Sequence, residues 1–267
     1  MNNKPLVVIK IGGRAAEPAA LASLAEEMSE ISSTYSFIFV HGGGAEVSRI
    51  SEIFGLKPTF KDGVRMTTPE EMDVVDMVLA GKMNKTITRL FREKGINGLG
   101  LSGSDGGLFT GEALSQATHT GKVKRVNSDL LELLCENGYL PVISSTSMET
   151  GGKSLNINAD EAALAIAGSL PAKTLIFISD IPGILKPAEF YQSGLEKGEP
   201  VALSSLDKAG IRREIEAGVI TGGMIPKVES AITALEKGVE EVIIGDYTGK
   251  GSLEALMSGK KGTKIIL

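Results

Sequence analysis

Lys10-Ile11-Gly12-Gly13 follows the apolar run Leu6-Val7-Val8-Ile9, and His41-Gly42-Gly43-Gly44 follows Phe37-Ile38-Phe39-Val40. Glycine lacks a Cβ, so its N–H can approach a ligand closely. Successive N–H groups leading into a helix N-terminus form an anion site. With the Lys10 ammonium beside the first turn, the pair reads as a cradle for a phosphoryl group. Neither turn has the G-x-x-x-x-G-K-[ST] form of a P-loop or the G-x-G-x-x-G form of a dinucleotide site. Glycine packing at strand-to-helix turns is the plain alternative for either turn alone.

Other segments carry chemistry of the same kind. Asn156-Ile157-Asn158-Ala159-Asp160 supplies amide donors and a carboxylate just before a helix, where Asp160 either caps the helix or orients lysines. Gly218 to Lys227 reads Gly-Val-Ile-Thr-Gly-Gly-Met-Ile-Pro-Lys, which predicts Pro226 at the first helical position and Lys227 in the first turn. A lysine there opposes the helix dipole, so it is either a solvated surface residue or one placed for an anion. Ser179-Asp180-Ile181-Pro182-Gly183-Ile184-Leu185 is a turn at the carboxyl end of a strand, where open α/β sheets bind ligands. In Gly63-Val64-Arg65, Arg65 suits a bidentate carboxylate contact or is an ordinary surface residue. Asp105, in Ser104-Asp105-Gly106-Gly107, is expected to close an Asx-turn.

Strands are predicted at 5–11, 36–41, 97–102, 140–144, 174–179, 241–245 and 263–267. Helices are predicted at 18–33, 44–55, 69–94, 127–137, 159–169, 205–217, 226–237 and 251–258. The alternation implies a mostly parallel α/β sheet covered on both faces. Thr68, Pro69 and Glu70-Glu71 mark the start of the 69–94 helix. Its stripe of Met72, Val75, Leu79, Met83 and Ile87 serves either the core or a subunit interface. Residues 186–200 read as an exposed loop or lid, and Ser169-Leu170-Pro171-Ala172 is the best candidate for a linker.

The chain has 267 residues, enough for one large domain or two lobes. Its net charge of −5 and 4% aromatic content argue against nucleic-acid or membrane-surface binding. The single cysteine, Cys135, excludes an internal disulfide and sits on what reads as a buried helix face, as a structural thiol. His41 and His119 have no metal-ligand spacing. With no targeting segment before the first strand, a cytoplasmic protein is expected.

Lys-x-Gly-Gly, His-Gly-Gly-Gly, Gly-Val-Arg, Asn-Ile-Asn-Ala-Asp, Ser-Asp-Ile-Pro-Gly-Ile-Leu and Gly-Gly-Met-Ile-Pro-Lys occur in this order over nearly the whole chain. In this set the sequence closely resembles the acetylglutamate kinases of the amino acid kinase family. The resemblance implies a three-layer αβα sandwich around a mostly parallel, roughly eight-stranded open sheet. It implies an N-lobe (1–170) for the acyl-amino acid and dimerisation, and a C-lobe (171–267) for the nucleotide. The implied reaction is ATP-dependent phosphorylation of the N-acetyl-L-glutamate γ-carboxylate, a step of arginine biosynthesis, with ATP and Mg²⁺ as cofactors.

By the same resemblance, Lys10 and Lys227 stabilise the transferring phosphoryl group and Asp160 orients them. Gly43, Gly44, Arg65, Asn156 and Asn158 contact the acyl-amino acid. Gly12, Gly13, Asp180, Ile181, Pro182, Gly183, Ile184, Leu185, Val219, Ile220 and Thr221 contact the nucleotide. Two departures stand out: members often carry a lysine where this chain has Ser104, and 186–200 is longer than the usual connection. Arginine-inhibited members have an extra helix before the first strand, so an arginine-insensitive homodimer is expected. The alternatives are a kinase of a related substrate, such as carrier-linked aminoadipate or glutamate, and a non-catalytic nucleotide-binding sensor of the same fold.

Overall fold

The structure is a computed structural model, and it describes residues 4–61, 64–170, 172–186 and 201–267. Its centre is an eight-stranded sheet. In spatial order the strands are β14 (Ser205–Leu206), β16 (Thr263–Ile265), β15 (Glu241–Asp246), β11 (Thr174–Ser179), β1 (Leu6–Ile11), β2 (Ser36–His41), β8 (Leu140–Ser144) and β5 (Gly98–Ser102). Only the β15–β16 pair is antiparallel. β1 lies between β11 and β2 in parallel register, with Lys10 opposite Phe177 and Val40. The central strands are near-continuous Val/Ile/Phe/Leu runs because helices bury both of their faces.

One face is covered by α5 (Ser128–Glu136), α6 (Ala159–Ser169), α7 (Lys208–Glu216) and α8 (Met224–Glu236). The other is covered by α1 (Pro18–Ile31), α4 (Asn84–Glu93) and α9 (Ser252–Met257). α2 (Gly44–Ile53) and α3 (Pro69–Asp76) pack on each other in a smaller apolar cluster around Val47, Met72 and Val75. Residues 187–200, nearly all of the predicted lid, lie outside the described residues, as does Pro171 of the predicted linker.

The structure corrects several expectations. Ser205–Leu206 was expected to open a helix; instead it pairs with Lys264–Ile265 as the eighth strand, and the helix starts at Lys208 behind an Asp207 cap. The expected 69–94 helix is interrupted by a π-helical stretch at Met77–Met83 before α4 resumes. Its apolar stripe mostly faces the core, with Met72, Val75, Leu79 and Ile87 buried. A small closed barrel of β6 (Phe109–Ala113), β7 (Thr120–Val126), β9 (Thr146–Met148) and β10 (Ser154–Ile157) was not expected. Nor were two short hairpins, β3 (Phe60–Lys61) with β4 (Val64–Arg65) and β12 (Leu185–Lys186) with β13 (Val201–Ala202).

On α5 only Leu131 is fully buried, and Leu133 is exposed. Cys135 is half-buried; burial and then the Glu132 charge push its thiol up to about 11, which suits a structural thiol. Asp105 does not close the expected Asx-turn: its carboxylate reaches back three residues, accepting from the Ser102 N–H at 2.6 Å and Ser102 Oγ at 2.9 Å, while the Gly107 N–H donates to the Ser104 carbonyl.

Candidate active site

β1 delivers Lys10 to the carboxyl edge of the sheet, and its Nζ lies 2.8 Å from Asp160 Oδ1. Asp160 stands in the first turn of α6, where the helix dipole favours a carboxylate. Asn158 is the cap of that helix, its side-chain oxygen accepting from the Asp160 N–H at 2.8 Å. Asp160 is thereby free of capping duty, and its other oxygen faces Lys227 Nζ at 3.7 Å. Two ammonium groups thus share one carboxylate, leaving an excess of one positive charge.

Lys227 enters from α8, which starts at Met224 rather than at Pro226. The 221–223 turn begins the helix early, the Met224 N–H donating to the Thr221 carbonyl and the Ile225 N–H to that of Gly222. Pro226 therefore occupies the third helical position, and Lys227 the fourth. Burial lowers the Lys227 pKa, Asp160 opposes that, and Lys10 lowers it further; the net direction is down. Burial pushes the Asp160 carboxyl up, but Lys10 and Lys227 outweigh it and the net direction is down. Asp160 is a carboxylate at neutral pH.

The two glycine turns sit beside this cluster. The Gly12 N–H donates to the Ile178 carbonyl at 3.2 Å, locking the first turn to β11. Gly13 has φ +60°, and a Cβ there would collide with the Asp180 carboxylate. Glycine is therefore required both by the backbone and by the approach of Asp180. In the second turn, Gly43 is the cap position of α2 and Gly44 its first residue. The first-turn N–H groups of a helix have no intrahelical partner and carry the positive end of its dipole. A Cβ on Gly43 would meet Met83 Sδ and, at 2.9 Å, Leu79 Cδ2, both from the π-helical stretch.

Arg65 is braced from several sides. Its Nη1 donates to Glu71 Oε1 at 3.3 Å, and its Nη2 to the Gly44 carbonyl at 3.1 Å and Ser48 Oγ at 2.5 Å. The Phe60 ring lies 4.8 Å from the guanidinium carbon. Glu71 also completes the capping box of α3 with Thr68, so the helix start and the arginine are fixed by one carboxylate. Asn156 on β10 donates to Thr67 Oγ1 at 2.9 Å.

Lys10, Gly12, Gly13, Gly43, Gly44, Arg65, Asn156, Asn158 and Asp180 line one open cleft of about 950 Å³. Asp160 and Lys227 are not on its walls; they join it behind Lys10, whose ammonium pairs with Asp160. Ile181 to Leu185 and Val219 to Thr221 are not on its walls. Ile184 and Ile220 are core residues; the Ile184 N–H donates to Thr263 Oγ1 at 2.8 Å. Sequence reasoning missed Ser48, Glu71 and Thr67, which hold the predicted ligands. Only Glu71 carried a signal, three residues after the Thr68 cap. At the rim, Arg49 and then Lys82 hold the Glu46 carboxyl down at about 2. Among the described residues no group of three or more His, Cys, Asp or Glu side chains could hold a metal, and no helix is long and apolar enough to cross a membrane.

The amino acid kinase family profile matches residues 5–246. An acetylglutamate kinase of Methanopyrus kandleri is 39% identical over 261 residues, spanning 95% of this chain and 97% of the relative. One of Bacillus subtilis is 38% identical over 270 residues, spanning 98% and 97%. Among solved structures, N-acetylglutamate synthase from Neisseria gonorrhoeae, complexed with coenzyme A and N-acetyl-glutamate, superposes with a TM-score of 0.83 at 21% identity. It covers 98% of this chain and 59% of that one. Carbamate kinase from Giardia lamblia bound to AMP-PNP has a TM-score of 0.70 at 17% identity, covering 100% and 99%. At those identities the two structures speak for the fold alone.

Proposed function

The chain belongs to the amino acid kinase family, and on that premise we propose that it transfers the γ-phosphoryl group of ATP to the side-chain carboxylate of N-acetyl-L-glutamate. A carboxylate oxygen attacks the γ-phosphorus, the bond to the ADP oxygen breaks, and N-acetyl-L-glutamyl 5-phosphate and ADP leave. The nucleophile is ionised at neutral pH, so no general base is needed. What the protein must supply is alignment and charge neutralisation. The observation that carries the reading is the Lys10–Asp160–Lys227 cluster beside two glycine turns. Lys10 and Lys227 approach from opposite halves of the chain, and we assign them to the two sides of the transferring group, with Asp160 holding both.

Arg65 and Asn156 are assigned to the acyl-amino acid, together with the Gly43 and Gly44 amides. Asn158 contributes by holding Asp160. Gly12, Gly13 and Asp180 are assigned to the phosphates, and 181–185 with 219–221 to the rest of the nucleotide. Ile184 and Ile220 would act there through their backbones. Mg²⁺ usually binds through one or two carboxylates and the substrate phosphates. Asp180, on the cleft wall, is the carboxylate we assign to it. When bound, the ion neutralises phosphate charge. We further propose the two lobes, 1–170 and 171–267, and a homodimer formed through the first.

Arginine biosynthesis is the setting that the acetylglutamate kinase relatives support. A carrier-linked substrate would favour a basic docking surface, and the chain is acidic, with net charge −5. A sensor would have no use for two lysines on one carboxylate. The test is incubation with ATP, Mg²⁺, hydroxylamine and a panel of acyl-amino acids. Acyl hydroxamate with N-acetylglutamate alone is expected; none with any carboxylate would overturn the reading.

A further inference from the structure

His41 closes β2 directly before the Gly42–Gly44 turn, and neither its chemistry nor its burial enters the transfer step. It is fully buried, as is Asn84 at the start of α4. The imidazole Nδ1 is 3.0 Å from the Gly42 carbonyl oxygen, and Nε2 is 3.1 Å from Asn84 Nδ2. A carbonyl can only accept, so Nδ1 carries the hydrogen, and Nε2 accepts from the amide. Burial holds the His41 pKa at about 4, so the ring is neutral and both contacts are satisfied by one tautomer.

Asn84 is itself fixed. Its two amide hydrogens are shared among His41 Nε2, the Val142 carbonyl at 2.8 Å and the Leu101 carbonyl at 3.2 Å, and its oxygen accepts from Lys85 Nζ at 3.0 Å. It is the first residue after the π-helical stretch, whose wider turn resets which face of the helix it occupies. The same stretch sends Leu79 and Met83 against Gly43. The turn that would receive the substrate is thus backed on one side by a polar pair and on the other by apolar side chains. An apolar pair could fill the space under the turn, but only a donor at Nδ1 can hold the Gly42 carbonyl.

We propose that His41 and Asn84 are positioning residues for the phosphoryl transfer: Asn84 fixes the imidazole, and the imidazole holds the Gly42 carbonyl, which aims the Gly43–Ala45 amides into the cleft. This rests on the reading of the cleft as an acyl-amino-acid kinase site. The test compares His41→Asn, whose amide nitrogen lies near the position of Nδ1, with His41→Gln, whose amide reaches toward Nε2 instead. Misplacing aligned groups by about an ångström costs on the order of tenfold or more. His41→Gln is expected to raise the KM for N-acetylglutamate about tenfold with the KM for ATP unchanged, and His41→Asn to stay within about threefold of the parent. Equal KM values for the two variants, or a loss confined to kcat, would overturn the proposal. Amide hydrogen exchange at 43–45, measured without substrate, gives a second reading: faster in His41→Gln than in His41→Asn supports the proposal, and equal rates overturn it. A parent enzyme that makes no hydroxamate would sink the kinase reading, while the exchange comparison would still decide the positioning role.

Discussion

The two sides of the proposed site, the cleft that holds Arg65 and Asn156 and the segments at 181–185 and 219–221 outside it, are built differently. On the acyl-amino-acid side, every assigned side chain is held by a partner: Arg65 by Glu71 and Ser48, Asn156 by Thr67, and the Gly42 carbonyl by His41. On the nucleotide side, Ile184 and Ile220 belong to the core, and the strands at 185–186 and 201–202 are two residues each. The side proposed for the acyl-amino acid is built of fixed side chains; the side proposed for the nucleotide offers backbone and short turns. Lys10 and Lys227 come from opposite halves of the chain and meet on Asp160, so the geometry of transfer depends on that carboxylate joining them.

Substitutions can break or sharpen this contrast, and the largest effect is expected at the junction. Lys10→Ala should lower kcat by about 10²–10³, as loss of one preorganised donor to developing charge does, with little change in either KM. Asp160→Asn should cost about 10–100-fold in kcat, since it leaves both lysines in place but unpaired. It should also move the alkaline limb of the pH profile. Lys227 must be protonated to act, and its pKa already lies below the ordinary 10.5. Without Asp160 only the more weakly acting Asp180 charge opposes burial and Lys10, so activity should be lost at lower pH than in the parent; an unmoved limb would separate Lys227 from Asp160. Arg65→Lys keeps the charge but loses the planar fork, and should raise the KM for N-acetylglutamate about tenfold with the ATP KM unchanged. Ser48→Ala removes one brace of Arg65 and should cost about fivefold in the same KM, the equivalent of the ~1 kcal/mol of one hydrogen bond. If Ser48→Ala matched Arg65→Lys, the bracing would matter more than the fork.

The main sheet was legible because its strands are apolar runs closed by glycine turns, and seven of them fall where the sequence predicts. The small barrel was not. Its strands carry Thr, Gly, Lys and Arg, as in Thr120-Gly121-Lys122-Val123-Lys124-Arg125-Val126, and bury too few side chains to stand out as strands. Ser205–Leu206 was hidden because a two-residue strand has no periodicity to read, and its partner lies near residue 265. The π-helical stretch was invisible because Met72, Val75, Leu79 and Met83 keep helical spacing through it. In the cleft, Lys10, Asp160 and Lys227 were legible from turn chemistry and a lysine set against a helix dipole. Their braces were not: Ser48 and Thr67 are common residues whose role appears only when distant segments meet.

The central claim is that two lysines from opposite halves share one carboxylate and flank the transferring group. Lys227→Ala, assayed at saturating ATP and N-acetylglutamate, tests it most directly. A fall in kcat of about 10²–10³ with both KM values held within a few-fold is expected. Near-normal turnover would contradict the account.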